Sequence, residues 1–230
     1  MKAVRGRLHE LLNTDNLNVT GESFDYGPWR FLPTYDLSFT AAYFDEGGLY
    51  AYGRQVEAVL WNLVRLAECL VPLGEEALLQ DALAAFVPSY QAAFRAQLLW
   101  RLGLTPRGID ADEALAAAIV TFLEDARLPF DRFFFDGYGG EARVAQALAG
   151  PFAQAYAGPG FAAVRAAWAT YTPARPERLT DPYLSRTGPV TVLITDVEAV
   201  WDAIAREDDW GPFERLVGDI RELGRFLGAP

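Results

Sequence analysis

The chain contains 230 residues, and its 51% hydrophobic content is enough to bury a substantial core in one large or two small domains. Its formal net charge of −11 would repel a polyphosphate backbone, which argues against nucleic acid as a main partner. The sequence has neither an apolar stretch of about 18 residues nor a secretory signal pattern, so a soluble protein without a membrane segment is expected.

The first notable segment, residues 9–31, reads HELLNTDNLNVTGESFDYGPWRF. Magnesium prefers hard oxygen ligands, and the amide of Asn16 and the carboxylate of Asp25 form such a pair. A third side chain, Asp15, is suited to accept a proton from a hydroxyl that attacks a phosphate. The segment therefore suggests a magnesium-nucleotide site with Asp15 as the catalytic base and Asn16 and Asp25 as metal ligands.

These side chains can meet only if the chain between them turns back. Thr20-Gly21 is a turn signal, and strands at residues 17–19 and at Phe24 would form a short antiparallel hairpin around it. Composition alone leaves an alternative open, because Asn-Thr-Asp-Asn and Asp-Tyr-Gly-Pro are also ordinary turn sequences whose side chains bond to nearby backbone.

Next along the chain, residues 31–53 contain prolines, aromatics and a glycine pair without helical periodicity, which predicts a loop that lines a site. From Arg54 to Pro72, apolar residues recur every three or four positions and predict a helix.

The single cysteine, Cys69, lies in this helical pattern, so a buried and unreactive thiol is expected. One cysteine excludes an intramolecular disulfide framework and fits a reducing compartment, most simply the cytoplasm.

The same spacing predicts further helices at residues 75–102, 110–126, 141–156, 160–170 and 196–207. Asp110 or Asp112 is the candidate cap of the third helix, and Thr195-Asp196-Val197-Glu198 has the form of a capping box. The aromatic run Phe133-Phe134-Phe135 is expected to pack in the core.

Two segments between these helices have other expectations. Residues 190–194 are β-branched and apolar, which is compatible with a short strand, and residues 173–189 carry four prolines and predict a connecting loop. The fold class predicted is mostly α, a small helical bundle forming one domain over residues 1–230. Residues 1–53 form its loop region and residues 54–230 its helical region.

The order of these motifs resembles the selenoprotein O (SelO) family, protein adenylyltransferases with a pseudokinase fold. The similarity covers residues 9–70 and is specific. The matching residues are His9-x-x-x-Asn13-Thr14-Asp15-Asn16, Asp25-Tyr26-Gly27-Pro28, Arg30-Phe31-Leu32, Tyr35-Asp36, Tyr50-Ala51-Tyr52-Gly53-Arg54-Gln55 and Glu57-Ala58-Val59-Leu60-Trp61-Asn62-Leu63.

The resemblance implies a protein-kinase-like fold, of which this chain would supply the helical C-terminal lobe with a short hairpin and loop motif at its start. It implies that Asp15 is the catalytic base and that Asn16 and Asp25 hold Mg²⁺, with Asp25 standing where kinases place the Asp of Asp-Phe-Gly. The implied reaction transfers AMP from ATP to a Ser, Thr or Tyr hydroxyl of a protein. His9 would be a packing residue that orients the loop.

The family also carries parts that this sequence lacks. Nineteen of the 20 basic residues are arginine and the only lysine is Lys2, whereas the family has its phosphate-binding lysine far upstream on an N-terminal lobe. Glu10 stands where the family typically has glycine. We therefore expect the N-lobe to be absent, the isolated chain to be inactive, and a separate N-lobe chain to be a candidate partner.

Two other functions stay open at this stage. One is a catalytically silent helical module, derived from the same fold, whose acidic loop binds a metal or a partner protein. The other is a truncated product without independent activity.

Overall fold

The computed structural model describes residues 7–9, 17–21, 29–41 and 45–228. These residues are mostly helical, as predicted, and their strands are β1 (Arg7–His9) and β2 (Trp29–Phe31). The chain divides into two compact units, the first made of residues 1–32 and 36–94 and the second of residues 33–35 and 95–230.

In the first unit, β1 and β2 form an antiparallel pair. The helix predicted after Arg54 is confirmed. The helical segments are the 3₁₀ turn Tyr52–Arg54, α1 (Gln55–Leu70), the 3₁₀ turn Val71–Leu73, α2 (Glu76–Ala84) and the first part of α3 (Phe86–Leu102).

The single helix predicted over residues 75–102 is in fact two helices, with a break at Ala85. Pro88 explains the break, because it has no N–H to donate to the carbonyl of Ala84 four positions earlier. The same proline is tolerated in the first turn of α3, where a backbone N–H has no intrahelical acceptor.

The prediction that Cys69 is buried is wrong. Cys69 is exposed, and so are Leu66 and Leu70 on the same helix, whereas the buried residues of α1 are the polar Gln55 and Asn62. Helical periodicity identifies an apolar face but does not reveal whether other parts of the chain cover it.

The second unit is built around aromatic side chains. Its helices are α4 (Ile109–Ala126), α5 (Phe130–Asp136), α6 (Val144–Ala149), α7 (Ala153–Tyr156), α8 (Pro159–Trp168), α9 (Ile194–Glu207) and α10 (Gly211–Leu227). Phe122 on α4 contacts Phe133 on α5 and Phe161 on α8, and Phe133 stacks on Trp168. Phe133, Phe134 and Phe135 are all buried, so the prediction that this run packs in the core is confirmed.

The helices predicted at 110–126 and 160–170 are confirmed within two residues, but the one predicted at 141–156 is divided. A 3₁₀ turn at Gly140–Arg143 precedes α6, and Gly150 in extended conformation separates α6 from α7. Pro151 follows this glycine and cannot continue a helix. Asp112 does not cap α4; its carboxylate instead accepts the N–H of Arg107 and the hydroxyl of Tyr171.

Near the C-terminal end, α9 begins two residues before its predicted start. The carboxylate of Asp196 accepts the N–H of Leu193 at 2.9 Å and the hydroxyl of Thr191 at 2.8 Å, so Asp196 is the capping acid and Thr195 is not the N-cap residue. Residues 190–193 form no strand, and the loop predicted at 173–189 contains two 3₁₀ turns, Pro176–Thr180 and Pro182–Ser185.

Helix α10 was not predicted. None of the helices in the part of the chain that the structure describes is both long and apolar enough to cross a membrane. The final helix instead places Phe226 in a buried cluster with Tyr138 and Tyr183.

Candidate functional site

The pair of strands β1 and β2 joins the two ends of the segment in which the catalytic residues are predicted. In their register, His9 lies opposite Trp29. Residues that face each other in an antiparallel ladder have Cα atoms about 5 Å apart, so the nineteen residues 10–28 begin and end at one place. This segment contains Asp15, Asn16 and Asp25.

These three predicted site residues lie outside the residues that the structure describes, and so does the side chain of His9. Their roles therefore stay predictions.

Within the same segment, residues 17–21 are described, and they form a turn. The predicted turn at Thr20-Gly21 is confirmed: the N–H of Gly21 donates to the carbonyl of Asn18 at 2.9 Å, and the N–H of Thr20 donates to the Asn18 side chain at 3.2 Å. Gly21 has a φ of +74°, a conformation that glycine adopts without strain. The predicted strand at residues 17–19 is wrong, because Asn18 directs the backbone into this turn.

The loop predicted to line the site is described over residues 31–41 and 45–53, and its acids bond to its own backbone. The carboxylate of Asp36 accepts the N–H and the hydroxyl of Ser38 at 2.9 and 2.7 Å. The carboxylate of Asp45 accepts the N–H groups of Leu49 and Tyr50, both at 2.8 Å. These two acids therefore shape the loop.

The end of this loop is folded closely onto its beginning. The N–H of Tyr52 donates to the carbonyl of Phe39, and the N–H of Gly53 donates to the carbonyl of Leu37, both at 2.9 Å. A Cβ atom at Gly53 would lie 3.0 Å from the Cβ atom of Leu37 and 3.1 Å from its carbonyl oxygen, so the approach depends on glycine. This contact fixes where α1 starts.

Two polar residues on α1 are buried, which the sequence reading did not anticipate. Asn62 donates from its amide to the carbonyl of Ala58 at 2.7 Å, within the helix. Gln55 is the first residue of α1, and its amide nitrogen has no acceptor among the described residues. A buried amide that has no acceptor at all costs about 1–3 kcal/mol.

No group of three or more His, Cys, Asp or Glu side chains in the described ranges is arranged to hold a metal ion. The predicted magnesium ligands, Asn16 and Asp25, lie outside those ranges. An amide oxygen and a carboxylate are hard donors, which is the chemistry that Mg²⁺ requires.

The second unit contains a buried polar cluster that is structural. The guanidinium of Arg132 donates to the carboxylate of Asp136 at 2.7 Å and to the carbonyl of Thr187 at 2.6 Å, and the hydroxyl of Tyr156 donates to the same carboxylate at 3.0 Å. Burial, and then the charge of Asp136, raise the pKa of Tyr156 far above its ordinary value. The phenol therefore stays protonated and links α5 to α7, and it is not an acid or base for catalysis.

Comparison with known proteins agrees with the motifs. A family model described as "Protein adenylyltransferase SelO" matches residues 3–221. Proteins named "Protein nucleotidyltransferase YdiU" from Gloeobacter violaceus and from Trichodesmium erythraeum are each 36% identical over 94% of this chain and 46% of the relative. A relative with the same name from Methylorubrum extorquens is 38% identical over 64% of this chain and 29% of its own length.

This chain spans about half the length of the curated relatives that it matches over most of its residues. The match runs through both compact units, since it covers residues 3–221, and it includes every motif from His9 to Leu63 on which the resemblance rests. The chain belongs to the SelO family of protein adenylyltransferases.

Proposed function

We propose that this chain carries the catalytic and metal-binding residues of a protein adenylyltransferase that transfers AMP from ATP to Ser, Thr or Tyr hydroxyls of protein substrates. Asp15 is its catalytic base, and Asn16 and Asp25 hold Mg²⁺. The observation that carries the proposal is the family match over residues 3–221, within which the strand pair β1–β2 encloses the segment with all three residues.

Transfer of AMP to a hydroxyl group requires a proton acceptor beside the phosphate, and it requires the negative charge of the phosphates to be neutralised. The hydroxyl oxygen of the substrate forms a bond to the α-phosphorus of ATP, the bond from that phosphorus to the oxygen bridging to the β-phosphate breaks, and pyrophosphate leaves. Asp15 accepts the hydroxyl proton. When bound, Mg²⁺ supplies charge neutralisation at the phosphates, and the hard donors of Asn16 and Asp25 suit it.

We further propose that the chain folds as the C-terminal lobe of a kinase-like protein and works in the cytoplasm. A site of this kind also needs a glycine-rich loop and a lysine that hold the phosphates. Lys2 is the only lysine of this sequence, so we propose that the loop and a lysine come from outside these 230 residues, in the same polypeptide or in a separate N-lobe chain.

The test joins this chain to the N-terminal half of the Gloeobacter violaceus relative and supplies ATP labelled at either the α- or the γ-phosphate. We expect label from the α-phosphate, and none from the γ-phosphate, to enter protein. Asp15→Asn and Asp25→Asn should each reduce the transfer by about 100-fold or more, the scale of a general base or of a charge-stabilising group. The 230-residue chain alone should give no transfer.

Glu57→Gln is the matched control, since it removes an exposed carboxylate of the first unit that pairs with Arg54 at 3.5 Å. Its activity should equal that of the unaltered protein. Transfer from the γ-phosphate would identify a kinase and refute the proposal. A completed protein that binds ATP and Mg²⁺ but transfers neither label would favour the catalytically silent module.

A further inference from the structure

Three aromatic side chains on α9, on α10 and in the turn between these helices face solvent. Trp201 is 63% exposed, Trp210 is 51% exposed and Phe213 is 44% exposed, whereas Trp168 in the core of the same unit is 1% exposed. Tryptophan and phenylalanine contribute large apolar areas, and solvent-exposed groups of them mark surfaces that bind other molecules. The described residues of this chain leave that surface uncovered.

Two of these aromatics contact each other, and one of them bonds to an aspartate at the end of α9. Trp201 and Asp208 are seven positions apart, which places them on one side of α9 and about 10 Å apart along it. The indole N–H of Trp210 donates to the carboxylate of Asp208 at 3.0 Å, and the rings of Trp210 and Phe213 meet edge to face with centroids 5.9 Å apart. We refer to Trp201, Asp208, Trp210 and Phe213 as the α9–α10 strip.

Hydrogen bonds hold the turn between α9 and α10. Asp208 ends α9 in the left-handed conformation, with a φ of +51°, and its N–H donates to carbonyls of the last helical turn. The carboxylate of Asp209 accepts the N–H of Gly211 at 2.9 Å, where α10 begins. Because both helix ends are fixed by these bonds, a ligand would meet a surface that is already ordered, which lowers the entropic cost of binding.

Negative charge surrounds the strip. Residues 196–215 contain seven carboxylates and two arginines; Arg206 already pairs with Asp202 at 3.1 Å, and the guanidinium of Arg215 lies beside Gly211, close to the carboxylate of Asp209. Asp196 is occupied in capping α9. The remaining five carboxylates belong to exposed residues, namely Glu198, Glu207, Asp208, Asp209 and Glu214. This stretch attracts cations, and the faces of indole rings attract them as well.

We propose that the α9–α10 strip binds a lysine- or arginine-rich segment of a partner protein. Carboxylates pair with the cationic groups of such a segment, the indole faces stack on them, and Phe213 covers their aliphatic stems. A second copy of this chain is a poor occupant, because a twofold contact through the strip would bring Asp208 and its acidic neighbours against themselves. The inference does not depend on adenylyl transfer.

The test is a fluorescence anisotropy titration of the 230-residue chain with a labelled peptide of alternating arginine and alanine. The comparison peptide has glutamate in place of arginine. We expect saturable binding of the arginine peptide only. Asp208→Asn keeps an acceptor for the Trp210 indole but removes the charge, and it should weaken binding severalfold; the double variant Trp201→Ala with Trp210→Ala should weaken it about tenfold or more.

Trp61→Ala is the matched control for unspecific attraction by a chain with a net charge of −11. Trp61 is 55% exposed but lies on α1, and the guanidinium of Arg65 already covers its ring at 5.4 Å from the centroid. This variant should bind the arginine peptide as the unaltered chain does. Circular dichroism and urea unfolding verify that every variant is folded.

Equal affinity for both peptides, or an equal loss in Trp61→Ala and in the double variant, would overturn the proposal. Sedimentation distinguishes a partner segment from a second copy of this chain. A concentration-dependent dimer that the double variant converts to a monomer would show that the strip is covered by a second copy, and the proposal would fail in that case also.

Discussion

The helices of the two compact units differ in the side chains that they bury. In the second unit, aromatic side chains such as Phe133 and Trp168 are fully buried, and the buried charges of Arg132 and Asp136 bond to each other. In the first unit, the buried residues of α1 are polar and α2 buries none of its side chains, while several large apolar side chains on these helices are exposed.

The unit expected to supply most of the stability is not the unit that contains the predicted catalytic residues. Burial of apolar area is the main favourable term in folding, so most of the free energy of unfolding should come from the second unit. The predicted catalytic segment, residues 10–28, belongs to the first unit, which has less of this support.

The largest effect should come from the aromatic core. Trp168→Ala removes a side chain that packs against Phe133 and Phe161, and it should lower the free energy of unfolding by about 3–5 kcal/mol. Leu73→Ala, at an exposed position beyond α1, should change it by less than about 0.5 kcal/mol. Urea unfolding measures both; equal losses would contradict the contrast between the units.

The next effect concerns the buried charges of the second unit. Asp136→Asn leaves the guanidinium of Arg132 buried without its carboxylate and should cost about 3 kcal/mol. Asp202→Asn is the control, because its pair with Arg206 is exposed and should contribute less than about 1 kcal/mol. A loss in Asp136→Asn no larger than in the control would mean that water reaches this cluster.

A smaller effect of opposite sign is expected in the first unit. Gln55→Met replaces a buried amide that has no acceptor among the described residues with an apolar side chain of similar size, and it should stabilise the chain by about 1 kcal/mol. Gln80→Met, at an exposed position bonded to Glu76, should have almost no effect. Destabilisation by Gln55→Met would instead indicate an acceptor outside the described residues.

The smallest expected effect is a dependence on pH. The hydrogen bonds that Arg165 donates lower the pKa of Glu141 below its ordinary value, and partial burial opposes this only in part. The stabilising contribution is therefore fully present above the pKa that Glu141 has in the unfolded chain and is lost as the pH falls through its lower folded value. Glu141→Gln should lose less stability than the unaltered chain between pH 7 and pH 3 in urea titrations.

Glu124→Gln, at an exposed position on α4, is the control for that titration. It should follow the unaltered chain at every pH. Parallel curves for Glu141→Gln and the unaltered chain would show that the pair with Arg165 adds nothing in solution.

Sequence patterns predicted the helices that have continuous apolar faces, such as α1 and α4. They missed the division at Ala85, although Pro88 carries the signal, because a helix face that continues across a short break keeps its spacing. They also missed α10, whose apolar residues Phe213, Leu216, Val217 and Ile220 do follow helical spacing. These two errors could have been avoided from the sequence.

Other features depend on distant residues and could not have been read from local spacing. Helical spacing does not show which other parts of the chain cover α1, and this decides that Cys69 is exposed and Gln55 is buried. For the candidate site, the sequence predicted which residues take part, from their types and their order, but it did not predict how they are arranged in space. The turn at Gly21 was visible locally, whereas the strand pair that encloses residues 10–28 joins positions twenty residues apart.

Because β1 and β2 pair, residues 10–28 form a loop whose two ends are held together. The entropic cost of closing such a loop grows only with the logarithm of its length, so adding or removing one residue near Thr20 changes that cost by a small amount. A single cut in the backbone at the Thr20-Gly21 turn would leave one strand of the pair on each fragment. This loop is therefore the natural place to divide the protein into two complementing pieces.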